Sequence, residues 1–264
     1  MTPATTRIVV IGAAGSIGRC CVGALAAGGA RLLLVDRAGT DVVALARSSS
    51  AAVALEADAT TAEGRSAIVA AARALDANAL LYAAGMPVFG PLEALDEATL
   101  ETTLRVNLMG PLLVTRDLLP VLSAHAEAHV IWLGSTLGRI GIPGFSTYSA
   151  GKFGLRGAAE ALRREWGDGP VRIHHIAPRA VRTGFNAGPV EAYNQATGTI
   201  SDPPEVVAQA VCAALGDAPG ERFIGFPERF AAPLNGWLPS LLDGAFAKHR
   251  RALKQIWDAR KNNR

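Results

Sequence analysis

Cysteine is scarce in this chain, charge of one sign is not concentrated ahead of the C-terminus, and apolar runs are short. Only three cysteines occur, Cys20, Cys21 and Cys212. They form neither an even disulfide framework nor a metal-ligand spacing, so they read as small core residues of a reduced, cytoplasmic protein that holds no metal. The net charge is +3 although the sequence pI is about 9.0, and the basic residues are scattered until Lys248–Arg264. That excludes the footprint of a nucleic-acid binder. The first apolar run, Ile8 to Ile11, is ended by glycine, which makes it a buried strand and too short for a signal peptide or a membrane span. The apolar residues from Phe230 to Phe246 are broken by proline and glycine, which excludes a continuous span there too.

What is present is a chain of 264 residues, 50% of them hydrophobic. It is long enough to bury a sizeable core in one domain over residues 1–264. Residues 7–11, Arg-Ile-Val-Val-Ile, lead directly into Gly12-Ala-Ala-Gly15-Ser16-Ile17-Gly18 and a helix of small residues. Strand, glycine turn and helix together make a phosphate-binding arrangement. The glycines let the backbone approach a pyrophosphate, and the helix N-terminus presents amides and the positive end of its dipole. A second strand, Arg31 to Asp36, ends in a carboxylate placed to bond the adenosine ribose hydroxyls and repel a 2′-phosphate, which favours NAD over NADP. Arg37 beside it is a counterweight toward phosphate.

The pattern repeats: a strand near Ala52–Glu56, the turn Asp58-Ala59-Thr60, a helix over Ala62–Leu75, and a strand over Asn78–Ala83 that ends in Ala84-Gly85. Asp58 reads equally as an adenine contact and as a helix cap. This alternation implies a parallel sheet with right-handed crossovers and helices on both faces, a Rossmann-type doubly wound α/β fold of about seven strands. From Asp96 a capped helix is expected to run through to Leu119, with Asn107 inside it just ahead of Gly110-Pro111. A buried amide in a helix interior competes with the backbone and needs partners, so Asn107 marks either a local kink or a site. The strand Ala128–Leu133 delivers Ser135 to the carboxyl edge of the sheet, where ligands bind.

Beyond it, Tyr148 and Lys152 stand one turn apart on one face of a helix-compatible run. Such a pair is commonly a surface contact, the lysine stem lying along the ring. It is also a candidate proton donor and acceptor, since an ammonium stabilises a phenolate and lowers a pKa that is ordinarily about 10.

Taken as an ordered set, the glycine turn, Asp36, Asp58, Ala84-Gly85, Asn107, Ser135, Tyr148-x-x-x-Lys152, and Pro178 followed by Val181-Arg182-Thr183 resemble the short-chain dehydrogenase/reductase family, in its single-domain branch. The resemblance covers about residues 7–226. It implies that Tyr148 is the general acid/base, that Lys152 lowers its pKa and binds the nicotinamide ribose, that Ser135 holds the substrate oxygen, and that Asn107 holds a water in the proton relay. It implies an NAD(P)-dependent oxidoreductase, with Gly12, Gly15, Ser16, Ile17, Gly18, Asp36, Arg37, Asp58, Ala59, Ala84, Gly85, Tyr148, Lys152, Pro178, Val181 and Thr183 around the cofactor. A homodimer or homotetramer paired through the helices that carry Asn107 and Tyr148 is implied as well. The chain departs from the family pattern at Ile11 and Ser16, at Tyr82 and Ala83, and at Arg179.

The candidate substrate pocket, Met86, Pro87, Phe89, Leu137, Ile140, Ile142, Phe145, Phe185 and Tyr193, is mostly apolar, which points to a hydrophobic ketone or secondary alcohol. Arg139 and Arg182 read as solvated rim residues. A C-terminal extension over 227–264 follows a last strand at Arg222–Phe226. It is read as a helical lid or oligomer contact, with a peripheral membrane contact as the other reading. The contrasting function, a non-catalytic dinucleotide sensor or scaffold, has no physical need for Asn107, Ser135, Tyr148 and Lys152 together.

Overall fold

Seven strands, all parallel, form the core of the computed structural model, which describes residues 1–225, 235 and 243–262. They are β1 (Arg7–Ile11), β2 (Arg31–Asp36), β3 (Ala52–Glu56), β4 (Ala79–Tyr82), β5 (Ala128–Leu133), β6 (Val171–Pro178) and β7 (Gly220–Ile224), in the order β3-β2-β1-β4-β5-β6-β7. Strands are added outward in opposite directions on either side of the β1/β4 boundary, and this reversal of strand order opens a crevice at the carboxyl ends of the strands. The helices between them are α1 (Ser16–Ala27), α2 (Val42–Arg47), α3 (Ala62–Leu75), α4 (Glu97–Leu104), α5 (Gly110–Leu122), α6 (Ser146–Glu165), α7 (Pro189–Thr197) and α8 (Pro204–Ala214); a last helix, α9 (Ala247–Asn262), follows β7.

Successive side chains of the central strands enter opposite cores, because the side-chain period of a strand is two. Ile8, Val10, Leu32, Leu34 and Leu81 pack with Cys21 and Leu25 of α1 and Val207 and Val211 of α8. Val9, Ile11, Leu33, Leu80, Val130 and Trp132 pack with Ile68 of α3, Val114 and Leu118 of α5, and Leu155 of α6. Each fully buried aliphatic side chain contributes about 1.5–3 kcal/mol, so the two cores dominate stability. Cys21 lies wholly inside the first, where burial pushes its thiol pKa up to about 12; all three cysteines are free.

The continuous helix expected from Asp96 to Leu119 is interrupted. Arg105–Met109 form a π-helical turn in which the Gly110 amide donates to the Arg105 carbonyl. Pro111 has no N–H to give the Asn107 carbonyl one turn back, and its ring crowds that carbonyl, so the backbone widens there. The Tyr82 hydroxyl, from β4, donates to the Val106 carbonyl at 3.1 Å. A Cβ on Gly110 would overlap that hydroxyl, which explains glycine at the join. The last strand runs from Gly220 to Ile224, earlier than the Arg222–Phe226 expected, because its register is dictated by β6: His174 pairs with Gly220 and Pro178 with Ile224. Most of the apolar stretch from Phe230 to Phe246 lies outside the described residues.

Leu118 is fully buried, whereas Val53 on the edge strand β3 is 63% exposed. Leu118→Ala should cost about 2–5 kcal/mol, and Val53→Ala under about 0.5 kcal/mol; urea denaturation followed by circular dichroism separates the two.

Candidate active site

A cleft of about 1310 Å³ follows the carboxyl edge of the sheet. At its first end, β1 turns sharply into α1. Gly12 has φ +81°, and a Cβ there would strike the Ala84 backbone, while a Cβ on Gly18 would overlap the Gly12 carbonyl. Gly15 is the N-cap of α1 and places no side chain over the first amides of the helix. The result is a cradle of backbone N–H groups sized for a pyrophosphate. Asp36 closes this end: its carboxylate accepts from the Ala14 and Arg37 amides, both at 2.9 Å.

Asp58 accepts from the Thr60 amide at 2.8 Å and the Thr60 hydroxyl at 2.7 Å. Burial pushes its pKa up, but these bonds and the charge of Arg37 outweigh it, and the carboxyl sits below its ordinary value. The cap of α3 is not Asp58 but Thr61, whose hydroxyl accepts from the Gly64 amide. Asp41, which lines the cleft, pairs with Arg19, an ion pair that the sequence pattern did not single out, and Arg19 also donates to the Ala14 carbonyl.

At the centre, β5 ends in Gly134-Ser135. Gly134 is required because a Cβ would enter the His175 ring. The Ser135 hydroxyl oxygen accepts from the Leu137 amide at 3.1 Å, starting a 3-10 turn. Tyr148 and Lys152 on α6 are 9% and 4% exposed, so they are not a surface pair. The Lys152 ammonium donates to the Leu133 carbonyl at 2.9 Å and lies 5.7 Å from the centre of the Tyr148 ring. Burial pushes the Tyr148 hydroxyl pKa up, against a hydrogen-bonding influence of Ser135, and pulls Lys152 down to about 8. In the protein alone, then, desolvation rather than the lysine charge governs the phenol.

Every predicted catalytic and cofactor-binding residue lines the cleft except Asn107, and of the candidate pocket residues only Phe89 is not in the lining. Asn107 is 1% exposed and clamps the loop after β4: its Oδ1 accepts from the Met86 amide and its Nδ2 donates to the Met86 carbonyl, both at 2.9 Å. Both ends of its side-chain amide are therefore bonded to the Met86 backbone, from a position inside the π-turn. Past β6, Arg179 makes a bidentate ion pair with Asp202 at 2.9 and 2.7 Å, and Val181 bridges to Asp202. These contacts close the segment that contains Thr183 over the cleft.

Residues 6–194 match the short chain dehydrogenase family. The chain belongs to that family. It is similar to the uncharacterized oxidoreductase YbbO of Escherichia coli K12, with 32% identity over 39% of this chain and 38% of YbbO. With the galactitol 2-dehydrogenase (L-tagatose-forming) of Cereibacter sphaeroides it shares 34% identity over 66% of this chain and 70% of that enzyme. The solved structure of a short chain dehydrogenase from Burkholderia cenocepacia J2315, in complex with NADP, superposes with a TM-score of 0.80 at 24% identity over 94% of this chain and 99% of that one. This short chain dehydrogenase thus shares its fold along nearly all its length and its sequence over a smaller part.

On the substrate side Tyr148 meets Phe185 at 5.5 Å and Phe145 at 6.5 Å between ring centres, and Phe145 meets Tyr193 at 5.7 Å. Ala252, Leu253 and Ile256 of α9 pack on the same cluster, and Phe246 and His249 join the lining. Helix α9 therefore covers the pocket with its apolar side. No hydrophobic periodicity near the active-site motifs announces these residues, which arrive from far along the chain. Neither Arg139 nor Arg182 lines the cleft. Among the described residues no helix is long and apolar enough to cross a membrane.

A buried lysine whose folded pKa is depressed destabilises the fold fully below about pH 8, and the penalty fades as pH rises toward the ordinary lysine value. Lys152→Met should accordingly raise the urea midpoint of the cofactor-free protein at pH 7, and the gain should shrink steadily between about pH 8 and 10.

Proposed function

We propose that this oxidoreductase uses NAD and interconverts a hydrophobic ketone and a secondary alcohol, with Tyr148 as general acid/base. The observation that carries the reading is the burial of Tyr148 beside Lys152 at the carboxyl edge of the sheet, across from Ser135 and under an apolar aromatic pocket. A buried phenol with a neighbouring cation is suited to passing one proton and to nothing structural that a phenylalanine would not do.

The cradle at Gly12–Gly18 and the small residues Ala84 and Gly85 fit a dinucleotide, whose nicotinamide supplies or accepts the hydride. In the direction of reduction, Ser135 donates a hydrogen bond to the carbonyl oxygen, and Tyr148 delivers its proton to the same oxygen as charge develops there. Lys152 stabilises the resulting phenolate and is placed to bind the nicotinamide ribose. Asn107 acts through position: by locking Met86 it holds the loop that faces the reacting centre, and the π-turn around it supports a water linking Lys152 to solvent. Asp36 selects NAD, since its carboxylate would repel a 2′-phosphate; Arg19, the other nearby cation on α1, is neutralised by Asp41. The free thiols suit a reducing compartment such as the cytoplasm.

The chain is proposed to pair through α5 and α6 as a homodimer or homotetramer. Two large apolar side chains are exposed in this part of the chain, Met109 of the turn that precedes α5 (46% exposed) and Phe153 of α6 (42%).

Tyr148→Phe should lower kcat on any accepted ketone by about 100-fold or more while leaving NADH binding intact; turnover at the parent rate would refute the mechanism. NADH should bind at least about tenfold tighter than NADPH, and Asp36→Ala should narrow that gap, as read by quenching of intrinsic fluorescence. Phe153→Asp should shift the mass measured by light scattering toward the monomer, and an unchanged mass would remove this face as the interface.

A further inference from the structure

The cleft lining includes a polar pair that the proposed proton chemistry leaves unused, Tyr193 of α7 and His249 of α9. Tyr193 is 1% exposed, and its hydroxyl has two neighbours, the Pro143 carbonyl at 3.0 Å and the His249 Nδ1 at 2.9 Å. A phenol has a single proton and a carbonyl can only accept. Both contacts are hydrogen bonds in only one arrangement: Tyr193 donates to Pro143, and His249 Nδ1–H donates to Tyr193. The hydrogen bond made by one ring nitrogen thereby decides the state of the other. In the neutral ring, Nε2 is left as a bare acceptor.

Burial and the adjacent Lys248 hold the His249 pKa below its ordinary value, so the ring is neutral at pH 7. His249 is half-buried and lines the cleft, and its Nε2 has no partner among the described residues. On the same cleft wall the Thr197 hydroxyl donates to the Tyr193 carbonyl and meets the Thr199 hydroxyl at 2.8 Å, and Asn194 also contributes to the lining. The ring reaches the reacting end through an unbroken aromatic path, His249 to Tyr193 at 5.6 Å, Tyr193 to Phe145 at 5.7 Å and Phe145 to Tyr148 at 6.5 Å.

We propose that His249 is a specificity residue whose Nε2 accepts a hydrogen bond from a donor group on the substrate, at the end of the apolar pocket away from the reacting carbon. Resting on the ketone–alcohol reading above, this narrows the substrate class to an apolar ketone or secondary alcohol that carries a distal hydroxyl or N–H. A bare acceptor in the pocket favours such a molecule over its hydrocarbon analogue, because the analogue covers the acceptor without pairing it.

The test compares plain methyl ketones with their ω-hydroxy counterparts, of about four to about ten carbons so that the chain can span the pocket. Within each protein the ratio of kcat/KM, hydroxylated over plain, is the readout. The parent should prefer the hydroxylated ketone by about three- to tenfold at the best-matched length. Two substitutions divide the ring's functions: asparagine places its amide near Nδ1 and can still bond Tyr193, whereas glutamine can place its carbonyl near Nε2. His249→Asn should bring the ratio close to one, and His249→Gln should retain a preference. A parent ratio near one, or a preference that survives in His249→Asn, overturns the proposal. So does a long-range nitrogen–proton correlation spectrum that shows the His249 proton on Nε2. The ratio of dissociation constants for the same ketones, by calorimetry on the NAD-loaded protein, reads the hydrogen bond without turnover. A chain that binds with the expected ratio but reduces neither ketone overturns the reaction assigned above and leaves donor recognition standing.

Discussion

The bond from the Lys152 ammonium to the Leu133 carbonyl is the constraint on which the site depends. It joins α6 to the last residue of β5, so the helix that carries Tyr148 and the strand that delivers Ser135 have one fixed relation. The cation is buried for this purpose at a cost, visible as a pKa drawn down to about 8. A lysine held there solely to tie a helix to a strand could be replaced by an apolar residue with a gain in stability. A buried cation beside a buried phenol is what the proposed proton transfer would use.

The second constraint is close backbone approach. Gly12 against Ala84 brings the β1 turn onto the end of β4, and Gly134 against His175 brings β5 onto β6. Both are at the carboxyl edge, and both keep the floor of the cleft thin enough for a dinucleotide to lie along it. Tyr82 is an instance of the same economy in this chain. Standing where family members commonly have a polar amide, it reaches from β4 to the widened turn at Val106 and so supports Asn107 from beneath.

Much of this was legible in the chain because it is local. Strand residues of β1, β2 and β5 are β-branched or aliphatic runs ended by glycine or acid, and their boundaries came out as read. The glycine turn and the Tyr148–Lys152 spacing encode their own geometry over one turn of backbone. Less legible were features decided by a partner distant in sequence. The turn at Arg105–Met109 hides in a helical pattern, since its amphipathic spacing continues on both sides of Pro111. The limits of β7 follow from β6, and the capping of α3 by Thr61 and not Asp58 follows from which hydroxyl reaches Gly64. Whether Tyr148 and Lys152 were a surface pair was also undecidable from spacing, because burial is a property of what packs on top.

The sequence by itself determined the fold class, the order of the strands and helices, and the residue types available for proton transfer and dinucleotide binding, since these depend on periodicity and on short-range backbone chemistry. Only the tertiary structure decided that the phenol and the ammonium are buried, that the Asn107 amide bonds the Met86 backbone, and that α9 covers the pocket and brings His249 to Tyr193. These are contacts between segments far apart in the chain. Their free energy comes from desolvation and from the pairing of groups that no local pattern brings together.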